Sequence, residues 1–399
     1  MQSQFTGTIE RYTEPTVSKA QPRVALLTNI LPPYLLPVFT ALARQVGSLR
    51  ILLSAATENE RPWSADWNGL DVSIQKSWKL NVRQKHPQGF TAIRERHIPY
   101  DTLRRLIAYE PNIVISAQLG FRTVQSIVYR RTNRKSRLII WVDASEHTEK
   151  RIGLAVTIAR RQLLRNADAV LVIGRSGGRY LEKLGVSRKR IVEVPYVTDF
   201  GPSTGRRAPV NPVPLRRLLY VGRLIDGKGV LPFVRELVLW CMRNTAKSCE
   251  LWIVGDGARR NEIAQMNIPA NLSLTLFGNV PYKSLPNVYA QATVTVLPTL
   301  ADTWGLVVNE SLACGVPVLG SLYSQAVEML VQHGTNGWTY WPDASESTQR
   351  ALDQALNVSA EELDRMRVSA RESVKNLTPQ YAASCFARAI EQAQAEREV

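Results

Sequence analysis

The chain is poor in the residues that bind metals or form disulfides: its 399 residues include only four cysteines and four histidines. The cysteines form no Cys-x-x-Cys pair, and the histidines are scattered along the chain. Structural zinc sites and disulfide frameworks need such residues at short, regular spacings. The sequence therefore predicts neither a metal site nor a disulfide framework.

Long apolar runs are also missing. No stretch approaches the roughly 18–20 apolar residues that a membrane-spanning helix needs. Residues 1–21 lack the apolar core of a signal peptide. We therefore expect a cytoplasmic protein. Because residues 1–21 are mostly polar, we expect them to form a mobile tail.

Acidic residues are scarce in the first half of the chain. Residues 1–200 contain 31 Lys and Arg against 16 Asp and Glu, whereas residues 201–399 contain 19 against 18. A cationic excess of this size attracts anionic partners over long distances. Composition leaves four alternatives open: nucleic acid, an anionic membrane surface, a phosphorylated substrate, or a solubilising surface with no partner.

From residue 23 onwards, short apolar segments typical of buried strands alternate with segments typical of helices. Residues 58–100 are the exception, since they show no regular pattern. The alternation predicts a doubly wound parallel sheet. Residues 201–214 interrupt it with four prolines and two glycines, which is typical of a linker. The alternation then restarts at residue 217.

These patterns predict an α/β protein with two Rossmann-like, doubly wound domains that face each other across a cleft. The length supports two domains, because one ordinary core does not extend over so many residues. Residues 22–200 are assigned to the N-terminal domain and residues 215–378 to the C-terminal domain. The linker of residues 201–214 joins them. Residues 379–399 form a final helix that packs on either domain, the N-terminal one included.

Two stretches of the second half combine glycines with charged side chains directly after predicted strands. The stretch LLYVGRLIDGKG contains Gly222, Arg223 and Lys228, and two cations at a strand end suit a diphosphate. The stretch DTWGLVVNE has Asp302 in a loop and Glu310 in the following helix. Because ligands of open parallel sheets bind at the carboxyl ends of strands, we expect both stretches to line one crevice.

Further segments of the second half strengthen the pattern. In chain order they are VGRL with the following KG, IVGDG, LFGNVPYKSLPNVYAQATVTVLPT and DTWGLVVNESLACGVPVLGS. This series resembles the donor-binding domain of family 4 of the retaining, nucleotide-sugar-dependent glycosyltransferases, which have the GT-B fold. The resemblance covers most of residues 215–340. The first half resembles the same family more loosely, mainly in RNADAVLVIG and YLEKLGVSRKRIVEVPY.

The resemblance implies a role for each charged residue of the two stretches. Arg223 and Lys228 would neutralise the diphosphate of the donor. Asp302, where the family usually has the longer Glu, would face the sugar, and Glu310 would accept hydrogen bonds from the ribose hydroxyls. The other donor contacts that the resemblance implies are Gly222, the backbone N–H groups of Gly305, Leu306 and Val307, and Val280 and Leu285 beside the base.

The N-terminal domain would bind the acceptor and complete the catalytic site. Family members often have a Gly-rich loop after the first strand, but this chain has LPPYLLP, in which Tyr34 either stacks on an acceptor sugar or packs within the loop. Where the family often has a histidine, Asp143 follows a predicted strand, with Glu146 and His147 close behind. One of these three would contact the donor sugar or the acceptor hydroxyl, unless Asp143 caps a helix.

The resulting expectation is a retaining glycosyltransferase of the hexosyltransferase type. Its co-substrate would be a nucleotide-diphosphate sugar, and it would need no other cofactor. The acceptor would be a glycan or a lipid-linked glycan of surface polysaccharide synthesis, reached through peripheral contact with the anionic inner face of the membrane. The chain contains no Asp-x-Asp triplet, so we expect metal-independent transfer.

Two other functions remain as alternatives. A GT-B scaffold also suits a nucleotide-sugar epimerase or a phosphorylase. A basic nucleic-acid-binding protein is an alternative of a different class, but the sequence contains no recognised nucleic-acid module, so a nucleic-acid partner is not expected.

Overall fold

The computed structural model describes residues 21–395, apart from residues 58–65, 68, 87–88, 150–151, 199 and 201–215. The predicted linker of residues 201–214 and nearly all of the predicted tail of residues 1–21 therefore lie outside the described residues. No helix within the described part of the chain is both long enough and apolar enough to cross a membrane.

The N-terminal half alternates strands with helices, as its sequence pattern predicts. Its elements are β1 (Arg23–Thr28), α1 (Leu36–Ala43), β2 (Ser48–Leu53), β3 (Asp71–Ile74), β4 (Ser77–Lys85), β5 (Thr91–Pro99), α2 (Thr102–Tyr109), β6 (Ile113–Ala117), α3 (Phe121–Thr132), β7 (Arg137–Val142), α4 (Leu154–Leu164), β8 (Ala169–Val172), α5 (Gly174–Lys183) and β9 (Ile191–Glu193). Seven of these strands form a parallel sheet in the order β3-β2-β1-β6-β7-β8-β9. Its central strands are buried on both faces because helices cover both.

The expectation that residues 58–100 are irregular is wrong for most of residues 71–99. Strand β3 extends the edge of the parallel sheet, and β4 pairs with β5 in a separate antiparallel hairpin. Within β4, Trp78, Leu80 and Val82 alternate with polar residues, a period of two that is typical of a strand. Trp78 and Leu80 are exposed at 60% and 49%, so the hairpin does not depend on a buried apolar face.

The C-terminal half repeats the same architecture. Its elements are β10 (Arg216–Val221), α6 (Val230–Arg243), β11 (Cys249–Val254), α7 (Arg260–Ala264), β12 (Leu272–Gly278), α8 (Leu285–Tyr289), β13 (Val294–Leu297), α9 (Leu306–Ala313), β14 (Val318–Ser321), α10 (Gln325–Leu330), β15 (Gly337–Tyr340), α11 (Ser345–Asn357), α12 (Ala360–Val374) and α13 (Pro379–Ala395). The sheet is parallel and has the order β12-β11-β10-β13-β14-β15. The prediction of two doubly wound parallel sheets is therefore confirmed.

Each sheet has a point at which consecutive crossovers leave in opposite directions. In the first sheet this point lies between β1 and β6, and in the second it lies between β10 and β13. The loops that follow these strands diverge there and leave a crevice at the carboxyl edge of the sheet. Both stretches with the predicted donor-binding charges follow β10 and β13, so the topology brings them to the same crevice.

Helix α13 packs on the N-terminal domain, although it follows the C-terminal domain in the chain. The ring of Phe386 lies 5.4 Å from that of Phe39 and 5.2 Å from that of Trp141, both in edge-on geometry. Phe39 belongs to α1 and Trp141 to β7. The chain thus crosses back between the domains, and α13 completes one face of the first sheet.

Direct contacts also join the two domains. The backbone N–H of Gly177 in α5 donates to Oε1 of the fully buried Gln325 over 2.9 Å. A Cβ on Gly177 would lie 2.5 Å from a methyl group of Val172 and 2.8 Å from the carbonyl oxygen of Ala144, so the packing of α5 within its own domain requires glycine there. Nearby, Arg179 of the first domain forms a 2.6 Å ion pair with Glu328 of the second.

Replacing Phe386 with alanine should lower the free energy of unfolding by about 3–5 kcal/mol, because it removes a buried ring between α13 and the N-terminal sheet. Urea unfolding, followed by tryptophan fluorescence and circular dichroism, measures this change. The matched control is Tyr381→Ala on the same helix, where the ring is 40% exposed and a much smaller loss is expected. Equal losses in the two variants would contradict the packing role of Phe386.

Candidate active site

The loops after β10 and β13 touch through their backbones. Leu300 N–H donates to the carbonyl oxygen of Gly227 over 3.0 Å, and the hydroxyl of Thr299 donates to the same oxygen over 3.1 Å. Gly229 has a φ of +65°, and a Cβ there would lie 2.0 Å from the carbonyl oxygen of Pro298. A glycine is therefore required where the two loops meet.

This contact places two of the predicted site residues side by side. Nζ of Lys228 forms an ion pair with Oδ2 of Asp302, and the two side chains are exposed at only 25% and 13%. The backbone N–H of Trp304 lies 3.5 Å from Oδ1 of the same carboxylate. The cation predicted to meet a diphosphate is thus held by the carboxylate predicted to face the sugar.

Arg223 leaves the end of β10 on a rigid support. Its carbonyl oxygen accepts a 2.8 Å hydrogen bond from the hydroxyl of Tyr220, which is 1% exposed. Burial raises the pKa of Tyr220, so the phenol remains a donor. A Cβ on Gly222 would come within 3.0 Å of the same hydroxyl. The Arg223 side chain is partly exposed at this edge.

Helix α9 begins at Gly305 with its first turn uncapped by any side chain. Gly305 has a φ of +101°, and a Cβ there would lie 2.7 Å from the hydroxyl oxygen of Ser324. The N–H groups of Leu306 and Val307 have no acceptor within the helix, because the first turn of any helix lacks one. These N–H groups and the helix dipole give this end a partial positive charge beside Asp302.

Glu310 lies one turn further along α9 and is only 5% exposed. The hydroxyl of Tyr289, itself fully buried, donates to Oε2 of Glu310 over 2.8 Å. Burial raises the pKa of Glu310 to about 7, although the hydrogen bond from Tyr289 acts in the opposite direction. Glu310 is therefore a carboxyl group whose charge changes near neutral pH.

The two residues predicted to flank a base differ in exposure. Leu285 is 7% exposed and packs in a hydrophobic cluster with Tyr289 and Ala292, so little of its surface is left for a ligand. Val280 is partly exposed and packs against the same cluster. Leu285 thus supports the ring that holds Glu310.

In the N-terminal domain, Tyr34 packs against another ring. It lies edge-on to Tyr196 at 5.4 Å, and Tyr196 in turn lies edge-on to Trp304 of the second domain at 6.3 Å. Nε1 of Trp304 donates to Oδ1 of Asn309 over 2.8 Å, and Nδ2 of Asn309 donates to the carbonyl oxygen of Tyr196 over 3.1 Å. Tyr34 therefore packs against a ring of its own domain, and its stacking on an acceptor sugar stays a prediction.

The carboxylate of Glu146 is occupied by two cations of α5. Arg179 donates to Oε2 over 2.7 Å, and Lys183 forms an ion pair with Oε1. Burial alone would raise the pKa of Glu146, but the hydrogen bonds from Lys183 and Arg179 outweigh it and lower the pKa. With both oxygens engaged, Glu146 is poorly placed to accept a proton or a sugar hydroxyl.

His147 lies at the junction of the two domains. Its ring is edge-on to Tyr323 at 5.4 Å and to Trp341 at 6.2 Å, and these residues follow β14 and β15 of the second sheet. Asp143 lies directly after β7 and is partly buried. Of the acceptor-side candidates Asp143, Glu146 and His147, the structure shows His147 in contact with the second domain.

Three residues of this region were missed by sequence reasoning. Tyr289 holds Glu310, while Trp304 and Asn309 link the loop after β13 to the first domain. Trp304 and Asn309 lie within the motif around Asp302, but Tyr196, which both of them contact, is distant in sequence. Among the described residues, no three His, Cys, Asp or Glu side chains converge in the way metal ligands do.

Comparison with known proteins shows which families and structures the site resembles. Residues 215–357 match the family model described as glycosyl transferases group 1. An uncharacterized glycosyltransferase of Methanocaldococcus jannaschii is 28% identical over 144 residues, which cover 36% of each chain. The aligned part thus spans only about a third of that relative. The segment that matches the family model, residues 215–357, contains the loops after β10 and β13 and all of α9.

Solved structures resemble the chain over nearly its whole length. Anabaena HepE in complex with UDP superposes with a TM-score of 0.68 at 14% identity, covering 92% of this chain and 99% of HepE. The lipopolysaccharide outer core galactosyltransferase WaaB gives a TM-score of 0.66 at 15% identity, covering 92% and 98%. At these identities the likeness shows the fold, which is GT-B. The similarity to group 1 glycosyl transferases is confined to residues 215–357 of the C-terminal half.

Replacing Glu310 with glutamine should stabilise the protein more at about pH 8 than at about pH 5. The pKa of Glu310 is about 7 in the folded protein, against an ordinary value of 4.5 for a glutamate side chain in water. The favourable contribution of the neutral acid is therefore lost as the pH rises through 7, and the variant avoids that loss. The difference should reach up to about 3 kcal/mol.

Urea unfolding of wild type and variant across this pH range measures the difference. Glu346→Gln, at a side chain that is 82% exposed, is the matched control and should show no such divergence. If the two variants behaved alike, Glu310 would not carry a raised pKa.

Proposed function

We propose that the protein is a retaining, metal-independent glycosyltransferase of family 4. It would transfer a hexosyl group from a nucleotide-diphosphate sugar to a hydroxyl of a glycan or lipid-linked glycan acceptor. The observation that carries the proposal is the meeting of Lys228, Asp302 and the uncapped start of α9 at the switch point of the second sheet, with Glu310 one turn away. The match of this segment to group 1 glycosyl transferases supports it.

The diphosphate of the donor would compete with Asp302 for Lys228. A diphosphate carries more negative charge than one carboxylate, and the N–H groups at the start of α9 lie on the same edge to receive it. Arg223, from the end of β10, would supply the second cation. As the sugar–phosphate bond breaks, negative charge grows on the leaving diphosphate, and these preorganised groups stabilise it.

Release from Lys228 would free Asp302 for the sugar. The transferred sugar gains positive character at its anomeric carbon as the bond lengthens. A carboxylate that hydrogen-bonds the sugar hydroxyls both orients the ring and opposes that charge. The ion pair would thus keep both groups in position before the donor arrives.

Glu310 would bind the ribose as a carboxylate. Tyr289 occupies Oε2, which orients the group and leaves Oε1 to accept from the ribose hydroxyls. Because ionised Glu310 accepts more strongly, nucleotide binding should favour its deprotonation and weaken below pH 7.

The first domain would supply the acceptor side. His147 and Asp143 are the candidates that retain this role, since both oxygens of Glu146 are engaged by Arg179 and Lys183. A lipid-linked acceptor fits the cationic excess of residues 1–200, because an anionic membrane attracts such a surface. Surface polysaccharide assembly at the cytoplasmic face of the membrane is the setting that we propose.

Nucleotide binding tests the donor site. In wild type, UDP and GDP should raise the melting temperature, and the better ligand is used for titration together with its nucleoside. Lys228→Ala and Arg223→Ala should weaken binding of the nucleoside diphosphate by about 10–100-fold, because each removes one charge-assisted hydrogen bond. Neither variant should change the affinity for the nucleoside. Glu310→Ala should weaken the binding of both the nucleoside diphosphate and the nucleoside, because it removes the ribose contact.

Lys247→Ala is the matched control, because Lys247 is an exposed lysine that precedes β11 at the opposite edge of the same sheet. It should change neither affinity. If all the variants bound the nucleoside diphosphate like wild type, the assignment of the donor site would be wrong.

Product analysis tests the reaction. Incubation with a panel of UDP- and GDP-sugars and candidate glycan acceptors should yield a glycoside whose anomeric configuration, read by NMR, matches that of the donor. The rate should be unchanged by EDTA, since Lys228, Arg223 and the start of α9 meet the leaving charge. Epimerised nucleotide sugar without an acceptor would identify an epimerase instead, and dependence on inorganic phosphate would identify a phosphorylase.

A further inference from the structure

Helix α4 is exposed along most of its length. Leu164 is its one buried residue, whereas Leu154 and Ile158 are 74% and 56% exposed. These two aliphatic residues lie one turn apart, and the exposed Arg161 and Arg165 continue the same stripe. The helix therefore presents apolar side chains at its N-terminal end and cations at its C-terminal end.

Helix α3 repeats this arrangement. Phe121, Val124 and Val128 are 47%, 42% and 41% exposed at the spacing of one helix face. The exposed Arg131 follows at the end of the helix. A solvent-facing stripe with three large apolar residues is unusual for a helix that already packs its other side on a sheet.

The two helices lie on the same face of the first sheet. Ile127 of α3 and Leu164 of α4 belong to one core cluster on that face. Their C-terminal ends are linked, because Arg130 pairs with Asp168 at 2.6 Å. Both helices follow the carboxyl ends of strands, β6 and β7. Their apolar ends are therefore on the edge of the sheet that faces the cleft.

Helices α3 and α4 carry cations and no acidic side chain. Residues 111–142 and 150–167 contain no Asp or Glu at all. Two of the acidic residues near α4 are engaged, Glu149 by Arg160 and Asp168 by Arg130, whereas Glu182 of α5 is exposed. A surface that combines exposed aliphatic side chains with cations, and has no acidic residue of its own, complements an anionic lipid bilayer.

A cationic pocket lies at the end of α4. Arg161 and Arg165 line it together with Arg190. Nη2 of Arg190 donates to the carbonyl oxygen of Leu164 over 3.0 Å, while its Nε is buried and has no acceptor among the described residues. Three guanidinium groups around one pocket suit a phosphate oxygen of a lipid headgroup.

We propose that α3 and α4 form a docking face through which the protein binds an anionic membrane. The aliphatic ends enter the boundary of headgroups and acyl chains, and the arginines bind the headgroup phosphates. Nucleic acid fits this face less well, because interfaces with nucleic acid are polar and aliphatic side chains neither stack on bases nor contact phosphates. A second copy would bring like charges together.

This proposal gives residues to the membrane contact named under the proposed function, but binding to a membrane requires no turnover. The test is flotation of the full chain with vesicles of equal parts phosphatidylglycerol and phosphatidylcholine, and with vesicles of phosphatidylcholine alone. Wild type should bind the first and not the second. Leu154→Ser with Ile158→Ser, and Arg161→Gln with Arg165→Gln, should each weaken binding by about ten-fold or more.

The matched control is Leu239→Ser with Met242→Ser, two residues of α6 that are 50% and 60% exposed, and it should bind like wild type. An unchanged nucleotide-induced thermal shift in each variant shows that the fold and donor site are intact. Equal binding to both vesicle types, or equal loss in the control, would overturn the proposal. Salt-sensitive binding of a labelled RNA that the same variants abolish would also overturn the proposal. Self-association detected by light scattering, and abolished by the same variants, would overturn it as well.

Discussion

The site depends on a backbone contact between two loops that are far apart in sequence. Gly227 accepts hydrogen bonds from Leu300 and Thr299, and Gly229 allows the carbonyl of Pro298 to approach. This contact requires glycine, because any Cβ on Gly229 would overlap that carbonyl. The contact also brings two opposite charges together, because Lys228 lies between Gly227 and Gly229 and forms an ion pair with Asp302.

The same loop is bound to the other domain through one buried amide. Oε1 of Gln325 accepts from Gly177 in α5, and Nε2 of Gln325 donates to the carbonyl oxygen of Thr303 over 2.7 Å. Asn309 forms a second link, from Trp304 to Tyr196. Any relative movement of the domains must break or strain these bonds. The position of the carboxylate at 302 is therefore coupled to the relative position of the two domains.

Sequence patterns predict the parts of this structure that depend on local periodicity. The apolar strands, and the junction from β13 through the loop into α9, follow from residues within about ten positions of each other. Tyr289 and Gln325 could not be found this way, because each acts on a partner 21 or 22 residues away that only folding brings near. The hairpin of β4 and β5 was not predicted, although Trp78, Leu80 and Val82 alternate with polar residues, because the many charged residues of the two strands weaken the apolar pattern.

Glu310 shows why the most informative residue of the site is also a costly one. Its burial favours the neutral acid, whereas a ribose hydroxyl is bound best by the charged form, so the two requirements oppose each other near pH 7. A glutamine would pack in the same volume without this conflict. Tyr289 reduces the conflict by donating to the carboxylate, but it does not remove it. The ribose contact proposed for Glu310 would explain why a residue that lowers stability above pH 7 occupies this position.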